Sequence, residues 1–486
     1  MAIIVSQGPA EYNLVVSPNV YTLSGIGPTD DGYALQVDAW DEDTVTSTEI
    51  ATILQPANPA GVAHFDISKI LQSYMDIKFV EDTAKATDTD GTSFSYRVRY
   101  GRVVNDVPLF EPGYDTVRYV LNGYEDWRSM NWPTQTAFIP DPGNIACETG
   151  GTSQAARYQE QYNYLHNYPK TSIPIRSASY RTLSFFNRIR DWNQGVDWGV
   201  NIQPYAVRIK FFTVTGTLIQ TAIYALSDTT GLGPRTTFDA TSVGSYTNDE
   251  LIGTIGAGPQ NLIDAGYWPN GSSAIWNQVI QTWGNYAVIW NLAQASAIVD
   301  SYQIDVMSID QCKVNAEGMP TSNDAATLEP YLDAVIYSET FQIENPCTGY
   351  EPVNVSFLNQ YGVKDYFSFD RRNTYNQSVK RNNYDKVLGS WSDATFAVDP
   401  HGRGRKTFST EIETNMELNS YWMSDEESAW LEELFTSPHI QVYYNGIWTP
   451  AVITSNSYEQ KTNVRNGLFQ HTLNIRFANT KRVQRG

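Results

Sequence analysis

The sequence predicts a mainly β protein: multi-domain β-sandwiches of immunoglobulin-like style, with a few short helices. Three observations carry that expectation. Hydrophobic residues make up 41% of the chain and aromatics 13%, enough to fill cores and too much for wholesale disorder. The 31 Tyr and 13 Trp join Thr- and Val-rich runs, residue types that fit a pleated, half-buried surface. The 33 Gly and 23 Pro fall among those runs, where turns belong. At 486 residues the chain exceeds one ordinary domain, and its patterns divide it at 1–125, 126–200, 201–349 and 350–486.

Residues 1–125 read as an N-terminal sandwich with an inserted helix. In Tyr33-Ala-Leu-Gln-Val-Asp-Ala39 the apolar Tyr33, Leu35, Val37 and Ala39 recur at every second position and share one strand face. Ile67, Ile70, Leu71 and Tyr74 recur instead at helical spacing, with Asp66 placed as the N-cap. Polar Glu81 to Ser93 reads as an exposed loop. Phe94, Tyr96, Val98 and Tyr100 alternate as the next strand. Val117, Tyr119 and Leu121 make another, closed by Asn122-Gly123.

Residues 126–200 lack clear periodicity and read as a connector or arm. Pro140-Asp-Pro-Gly143 and Gly150-Gly151 mark loops, and Arg181 to Phe186 suits a strand. Residues 201–349 read as a second sandwich. Val207, Ile209 and Phe211 alternate, Tyr286 to Trp290 suits a buried strand, and Tyr302, Ile304 and Val306 alternate again. The Gly-, Asn-, Thr- and Ser-rich stretch 228–283 holds Trp268, Trp276 and Trp283 and reads as a long docking loop. No fixed-period repeat is visible, so the two sandwiches share a style rather than a sequence.

Residues 350–486 read as a C-terminal β-domain with one capped helix. Val353 to Leu358 and Val363 to Phe369 form a hairpin across Asn359-Gln-Tyr-Gly362. Ser424-Asp-Glu-Glu427 is a capping box, followed by an apolar stripe of Trp430, Leu431, Leu434 and Phe435 and a stop at Pro438. Ile440 to Tyr444 and Ile447 to Val452 flank Asn445-Gly446, a strong two-residue hairpin signal. In the closing strand Phe469, His471, Leu473, Ile475 and Phe477 face inward, and Gln470, Thr472, Asn474 and Arg476 outward.

The chemistry-bearing residue types do not assemble into a catalytic pattern. The five histidines are dispersed, and neither HExxH nor GxSxG occurs. His401-Gly-Arg-Gly-Arg-Lys406 has the glycines of a phosphate loop at the wrong spacing and reads as a flexible basic loop. Asp38, Asp41, Glu42 and Asp43 form an acidic cluster; a glycosidase needs two carboxylates across a sugar, but a solvated strand end is the simpler reading. Asp88-Thr-Asp-Gly91 opens like a calcium loop without its closing Glu. We therefore expect no catalytic residue, no metal and no cofactor. Cys147, Cys312 and Cys347 show no CxxC spacing, and their odd count favours reduced thiols over a Cys312–Cys347 bridge.

Net charge of −20 argues against a nucleic-acid partner, because phosphate contacts need Lys and Arg. No run approaches the roughly 20 apolar residues of a membrane span, and Ala2-Ile-Ile-Val5 is too short for a secretory leader. A chain that stays soluble in the cytoplasm where it is made is the expectation. Against the acidic background, residues 371–406 stand out as a basic, Asn-rich connector. It carries Arg371, Arg372, Lys380, Arg381, Lys386, Arg403, Arg405 and Lys406 against three acidic residues. Opposite charge suits docking on an acidic surface, either a second copy or another subunit. Trp268, Trp276, Trp283, Trp391 and Trp448 suit core or subunit interfaces, or stacking on a sugar.

Tyr350-Glu-Pro-Val-Asn-Val-Ser-Phe-Leu-Asn-Gln-Tyr-Gly362, Asp365-Tyr-Phe-Ser-Phe-Asp370 and Leu431-Glu-Glu-Leu-Phe-Thr-Ser-Pro-His439 through Phe477-Ala-Asn479 resemble structural proteins of tailed bacteriophages. Gln55-Pro-Ala-Asn-Pro-Ala-Gly-Val-Ala-His-Phe-Asp-Ile-Ser-Lys-Ile-Leu71 is similar in style to phage virion proteins. The resemblance spans much of the chain and supplies no active-site residues. It implies a non-enzymatic component of the tail, baseplate or neck, assembled in the host cytoplasm into a virion. Its implied partners are other virion structural proteins and copies of itself in a symmetric ring. The alternative is a receptor-binding tail protein whose Trp-rich loop meets host-surface glycan.

Overall fold

A computed structural model describes residues 3–10, 12–27, 30–41, 46–75, 93–124, 144–145, 174–175, 179–186, 190–191, 205–225, 252–264, 287–290, 299–309, 332–344, 350–386, 389–392, 394–398, 401, 404–454, 469–478 and 482–485. The chain is mainly β, with multiple sheets and sandwich packing. It divides into two compact units. Unit 1 comprises Met1–Asn345 with Asn359–Asp365, and unit 2 comprises Pro346–Leu358 with Tyr366–Gly486.

Unit 1 begins with nine described strands: Ile4–Gln7 (β1), Tyr12–Leu14 (β2), Val20–Ser24 (β3), Gly32–Asp41 (β4), Thr46–Gln55 (β5), Val62–Asp66 (β6), Ser93–Val104 (β7), Val107–Phe110 (β8) and Arg118–Leu121 (β9). One sheet runs β1-β3-β6 and a second β2-β9-β7-β4-β5, with β8 paired to β7. Tyr21, Leu23 and Phe65 from the first meet Tyr33, Leu35, Val37, Tyr96 and Val98 from the second in one core. The inserted helix α1 spans Ser68–Tyr74 and lends Leu71 to that core. Its N-cap is Ile67 rather than Asp66: the helical turn begins one residue later than the polar side chain suggests, and Ile67 N, unpaired within the helix, donates to Asn19 O at 3.0 Å. Asp66, one residue before the cap, still accepts from Ser68 N at 3.0 Å. Tyr74, placed on the apolar stripe by its spacing, is 45% exposed, with its ring 5.2 Å from that of Phe94.

The remainder of unit 1 holds Asn144–Ile145 (β10), Pro174–Ile175 (β11), Thr182–Phe186 (β12), Arg190–Asp191 (β13), Tyr205–Phe212 (β14), Leu218–Ala225 (β15), Ile252–Gly256 (β16), Ala287–Trp290 (β17), Ser301–Ile309 (β18) and Leu332–Ile343 (β19). A six-stranded sheet runs β11-β19-β18-β14-β15-β17, and β12 pairs with β16. Val207, Ile209, Phe211, Tyr302, Ile304 and Val306 are buried on one face, as their alternation predicts. The stretch 228–283 is not loop throughout. It contains β16 and the helix α2 at Pro259–Asp264, whose Asn261 carboxamide accepts from Arg181 N at 2.8 Å. Short elements between Gly- and Ser-rich flanks escape a periodicity window.

Unit 2 is organised by one large sheet. Its strands are Val353–Leu358 (β20), Lys364–Phe369 (β21), Thr374–Asp385 (β22), Arg405–Asn419 (β25), Ile440–Tyr444 (β26), Ile447–Ile453 (β27), Thr472–Phe477 (β28) and Arg482–Arg485 (β29); Ser390–Trp391 (β23) and Phe396–Ala397 (β24) pair separately. The order is β21-β20-β26-β27-β28-β25-β22, with β29 on β25. Helix α3, Asp425–Thr436, opens with the expected capping box: Ser424 Oγ accepts from Glu427 N at 3.2 Å, and Ser424 N donates to Glu427 Oε2 at 2.7 Å. Trp430, Leu431 and Leu434 are buried, and Trp430 meets Phe357 and Phe367. Asn445 and Gly446 take positive φ, 52° and 81°, as a tight two-residue hairpin demands. Along β28 buried and exposed residues alternate strictly, and His471 just before it is buried beside Ser428 Oγ at 2.8 Å.

Candidate functional site

The basic connector is not a loop. β22 and β25 pair antiparallel from Thr374↔Glu417 to Asp385↔Arg405, making a long two-stranded ribbon. β22 is exposed along nearly its whole length, and β25 is exposed or half-buried toward Arg405. Solvent on both faces removes the period-two signal that marks a half-buried strand, and Asn is a poor strand former, so local sequence reads as a connector. Tertiary pairing overrides both. β25 is held at its far end by β28, from Asn415 to Asn419, and by β29 from Ser409 to Ile412. That fixed strand templates β22 alongside it.

The asparagines lock the root of this arm. Asn373 Nδ2 donates to Phe369 O at 3.1 Å, and its Oδ1 accepts from Asn419 N at 3.1 Å. Asn419 Nδ2 donates to Arg372 O at 2.7 Å and its Oδ1 accepts from Thr472 Oγ1 at 2.7 Å. Above the root, Tyr375 stacks on Tyr444 at 5.8 Å and 10° between ring planes, and Tyr444 touches Phe477. The sheet core therefore continues only into the first residues of the arm.

At the other end, Lys386 N donates to Gly404 O at 2.6 Å, and the β23–β24 pair forms a tip. Trp391 and Phe396 pack together there at 4.9 Å. Trp391 is 81% exposed, and Val398 and Phe408 are exposed as well. Clustered exposed apolar side chains on an otherwise polar extension are the usual mark of an interaction surface.

The arm's charge is weaker than its sequence suggests. β25 sets Glu411 opposite Lys380, Glu413 opposite Ser378 and Glu417 opposite Thr374. Arg405 pairs with Asp385 at 3.1 Å with both side chains mostly in solvent, a contact of small energetic weight. Arg371 lies 3.8 Å from Asp370 at the root. Arg372, Lys380, Arg381 and Lys386 are exposed, and Lys406 is half-buried. Arg403, Trp268, Trp276 and Trp283 lie outside the described residues, as do Cys147, Cys312, Cys347 and the Asp88–Gly91 segment. Trp448 is half-buried between Tyr366 and Tyr443 and belongs to unit 2's packing.

Asp38 is not a solvated strand end. It is 2% exposed, accepting from Gln36 Nε2 and from Tyr114 Oη, both at 2.7 Å. Across the strand, Arg97 lies 3.9 Å over the Trp40 ring and 3.7 Å over Tyr114, and Arg99 donates to Gln36 Oε1 at 2.9 and 2.7 Å. The second sandwich carries the same cassette. Gln303-Ile-Asp305 faces Arg208-Ile-Lys210, just as Gln36-Val-Asp38 faces Arg97-Val-Arg99. Asp305 accepts from Arg208 at 2.9 and 2.7 Å, from Gln303 Nε2 at 2.8 Å and from Ser338 Oγ at 2.7 Å. The two strands occur in opposite chain order in the two sandwiches, so a fixed period does not reveal the likeness. Each of these carboxylates is buried with both oxygens accepting side-chain hydrogen bonds. Among the described residues no cluster of His, Cys, Asp or Glu is arranged to hold a metal, and no helix is long and apolar enough to cross a membrane.

Fold and surface together define a multi-domain β-sandwich protein with a projecting β-arm. No known family model matches the chain, and no curated protein matches it. Among solved structures it is similar to one described as CBD12 from CALX1.2, at 9% identity and a TM-score of 0.16, covering 71% of this chain and 100% of that one. So low an overlap bears on neither fold nor function.

Proposed function

We propose that this chain is a non-enzymatic structural component of a tailed-phage virion, a tail, baseplate or neck protein that docks to its neighbours and assembles as a ring. The carrying observation is the arm: a ribbon rooted by Asn373 and Asn419, capped by exposed Trp391 and Phe396, and bearing exposed Arg372, Lys380 and Arg381. Rigid β-sandwiches serve as spacers in this reading, and the arm as the coupling element. The resemblance of 350–362 and 431–479 to phage structural proteins supports it. The virion, built in the host cytoplasm, is its place of work.

Mass spectrometry and immunolabelling of purified particles test the reading. Multiple copies at one level of the tail or neck are expected, and particles lacking the chain would overturn it. Within it, neutralising Arg371, Arg372, Lys380 and Arg381 together lowers incorporation into particles while the isolated chain stays folded. Normal incorporation of that variant would remove the arm's charge from the docking role.

A glycan-binding tail protein is the second reading. The exposed Trp391 ring favours it, since an accessible indole face stacks on sugar. A glycan array probed with the full chain and its Trp391→Ala variant separates the two: Trp391-dependent binding supports glycan recognition, and no binding removes it.

A further inference from the structure

Resting on the ring reading above, we propose that copies of this chain join edge to edge, with β22 of one copy adding to β5 of the next. Both strands end their sheets. Among the described residues β22 is hydrogen-bonded only to β25, and β5 only to β4. Each therefore presents a row of backbone N–H and C=O groups along its outer side, the ready template for another strand. Their lengths match: 12 residues in β22 and 10 in β5, spans of roughly 40 and 34 Å at about 3.4 Å per residue. Both are accessible, since β22 is exposed almost throughout and β5 alternates between exposed and half-buried.

Charge selects this pairing over others. The sequence from 371 to 386 holds Arg371, Arg372, Lys380, Arg381 and Lys386 against Asp385 alone. The sequence from 41 to 55 holds Asp41, Glu42, Asp43 and Glu49 and no basic residue. Adjacent Lys380 and Arg381 near the middle of β22 are the kind of guard that keeps exposed edges apart. They disfavour the pairing of two β22 strands centred on them, because like charges would then meet. The same two cations admit an acidic edge such as β5 with Glu49, so one feature both blocks self-pairing and chooses the partner. Among the described residues neither Lys380 nor Arg381 makes an ion pair within 4.0 Å, so both can reach a second carboxylate although Glu411 already lies opposite Lys380 in register. A contact between two different edges is heterologous: where the rotation between copies closes it makes the ring of the reading above, and otherwise it extends as a filament.

Sedimentation velocity on the purified full chain tests the pairing by charge reversal and rescue. The wild-type chain is expected to form oligomers. Lys380→Glu with Arg381→Glu should weaken association at least tenfold, and adding Glu49→Lys to that double variant should restore most of it. Circular dichroism of each variant confirms that the fold is kept; all three sites are exposed. A wild-type chain that stays monomeric, a reversal without effect, or a loss that Glu49→Lys does not rescue overturns the edge pairing. Presence of the chain in purified particles is read separately: if it is there while the reversal has no effect, the virion role stands and the pairing falls. If it is absent, the virion role falls whatever the oligomeric state.

Discussion

Trp391 and Phe396 pack their rings 4.9 Å apart across the β23–β24 tip, yet Trp391 keeps 81% of its surface in solvent. An indole held in place by one neighbour and otherwise bare loses little freedom when a partner covers it, the economy that makes Trp a frequent centre of binding energy. Replacing both residues by Ala should leave unfolding in urea within about 0.5 kcal/mol of wild type, the usual range for surface sites. On the virion role proposed above, incorporation into particles should fall by an order of magnitude. Unchanged incorporation would show that the tip is not the contact.

The arm's root makes a separate prediction. Asn373 and Asn419 supply four side-chain hydrogen bonds that fix where the ribbon leaves the sheet. Asn419→Ala removes two of them, both open to solvent, and should loosen β22 by about 1 kcal/mol, the net worth of an ordinary hydrogen bond. Amide hydrogen exchange reads this directly: β22 should exchange faster while β26 and β27 do not change. Uniform protection across β22 would show that β25 alone holds the arm.

In unit 1, Asp305 is 1% exposed, with Arg208, Gln303 and Ser338 around it. Asp305→Ala leaves Arg208 beside an emptied site and should cost about 3–5 kcal/mol, as removing one partner of a buried pair does. Denaturant unfolding followed by Trp fluorescence measures it. A loss below about 1 kcal/mol would mean that water reaches Arg208 readily.

Stability should fall at both ends of the pH scale for identifiable reasons. Burial pushes the Tyr21 hydroxyl up to about 12 and also raises Tyr96 well above 10. The unfolded chain releases these protons near pH 10 and the folded chain holds them, so stability declines as pH rises from 10 toward 12, by roughly 3 kcal/mol at most for Tyr21. Burial lowers His439 below its usual 6.5. There the unfolded chain takes up a proton that the folded chain resists, so stability present above pH 6.5 diminishes as pH falls through the lowered value. Thermal melts across pH 5–11 of wild type, Tyr21→Phe and His439→Gln check both limbs: Tyr21→Phe should lessen the alkaline decline, leaving the share of Tyr96, and His439→Gln should lessen the acidic one.

Several strands with one buried face were placed by sequence alone, although β3 and β6 were not. Tyr33, Leu35 and Val37, the run from Val207 to Phe211, and the strict alternation of β28 were legible because a half-buried strand writes its two faces into every second residue. The capping box of α3 and the Asn445-Gly446 turn were legible because their geometry depends on two or three adjacent residues. Tertiary structure decided what has no local mark. β22 is a strand because β25 lies beside it, not because Asn, Gln and Ser prefer extended backbone. Asp38 is buried because Gln36 and Tyr114 reach its two oxygens, and Tyr114 comes from 76 residues away. The basic run of 371–406 is tempered because Glu411, Glu413 and Glu417 return on the partner strand. Hydrophobic periodicity reports which face is dry, whereas pairing, edge position and charge balance depend on which distant strand arrives alongside.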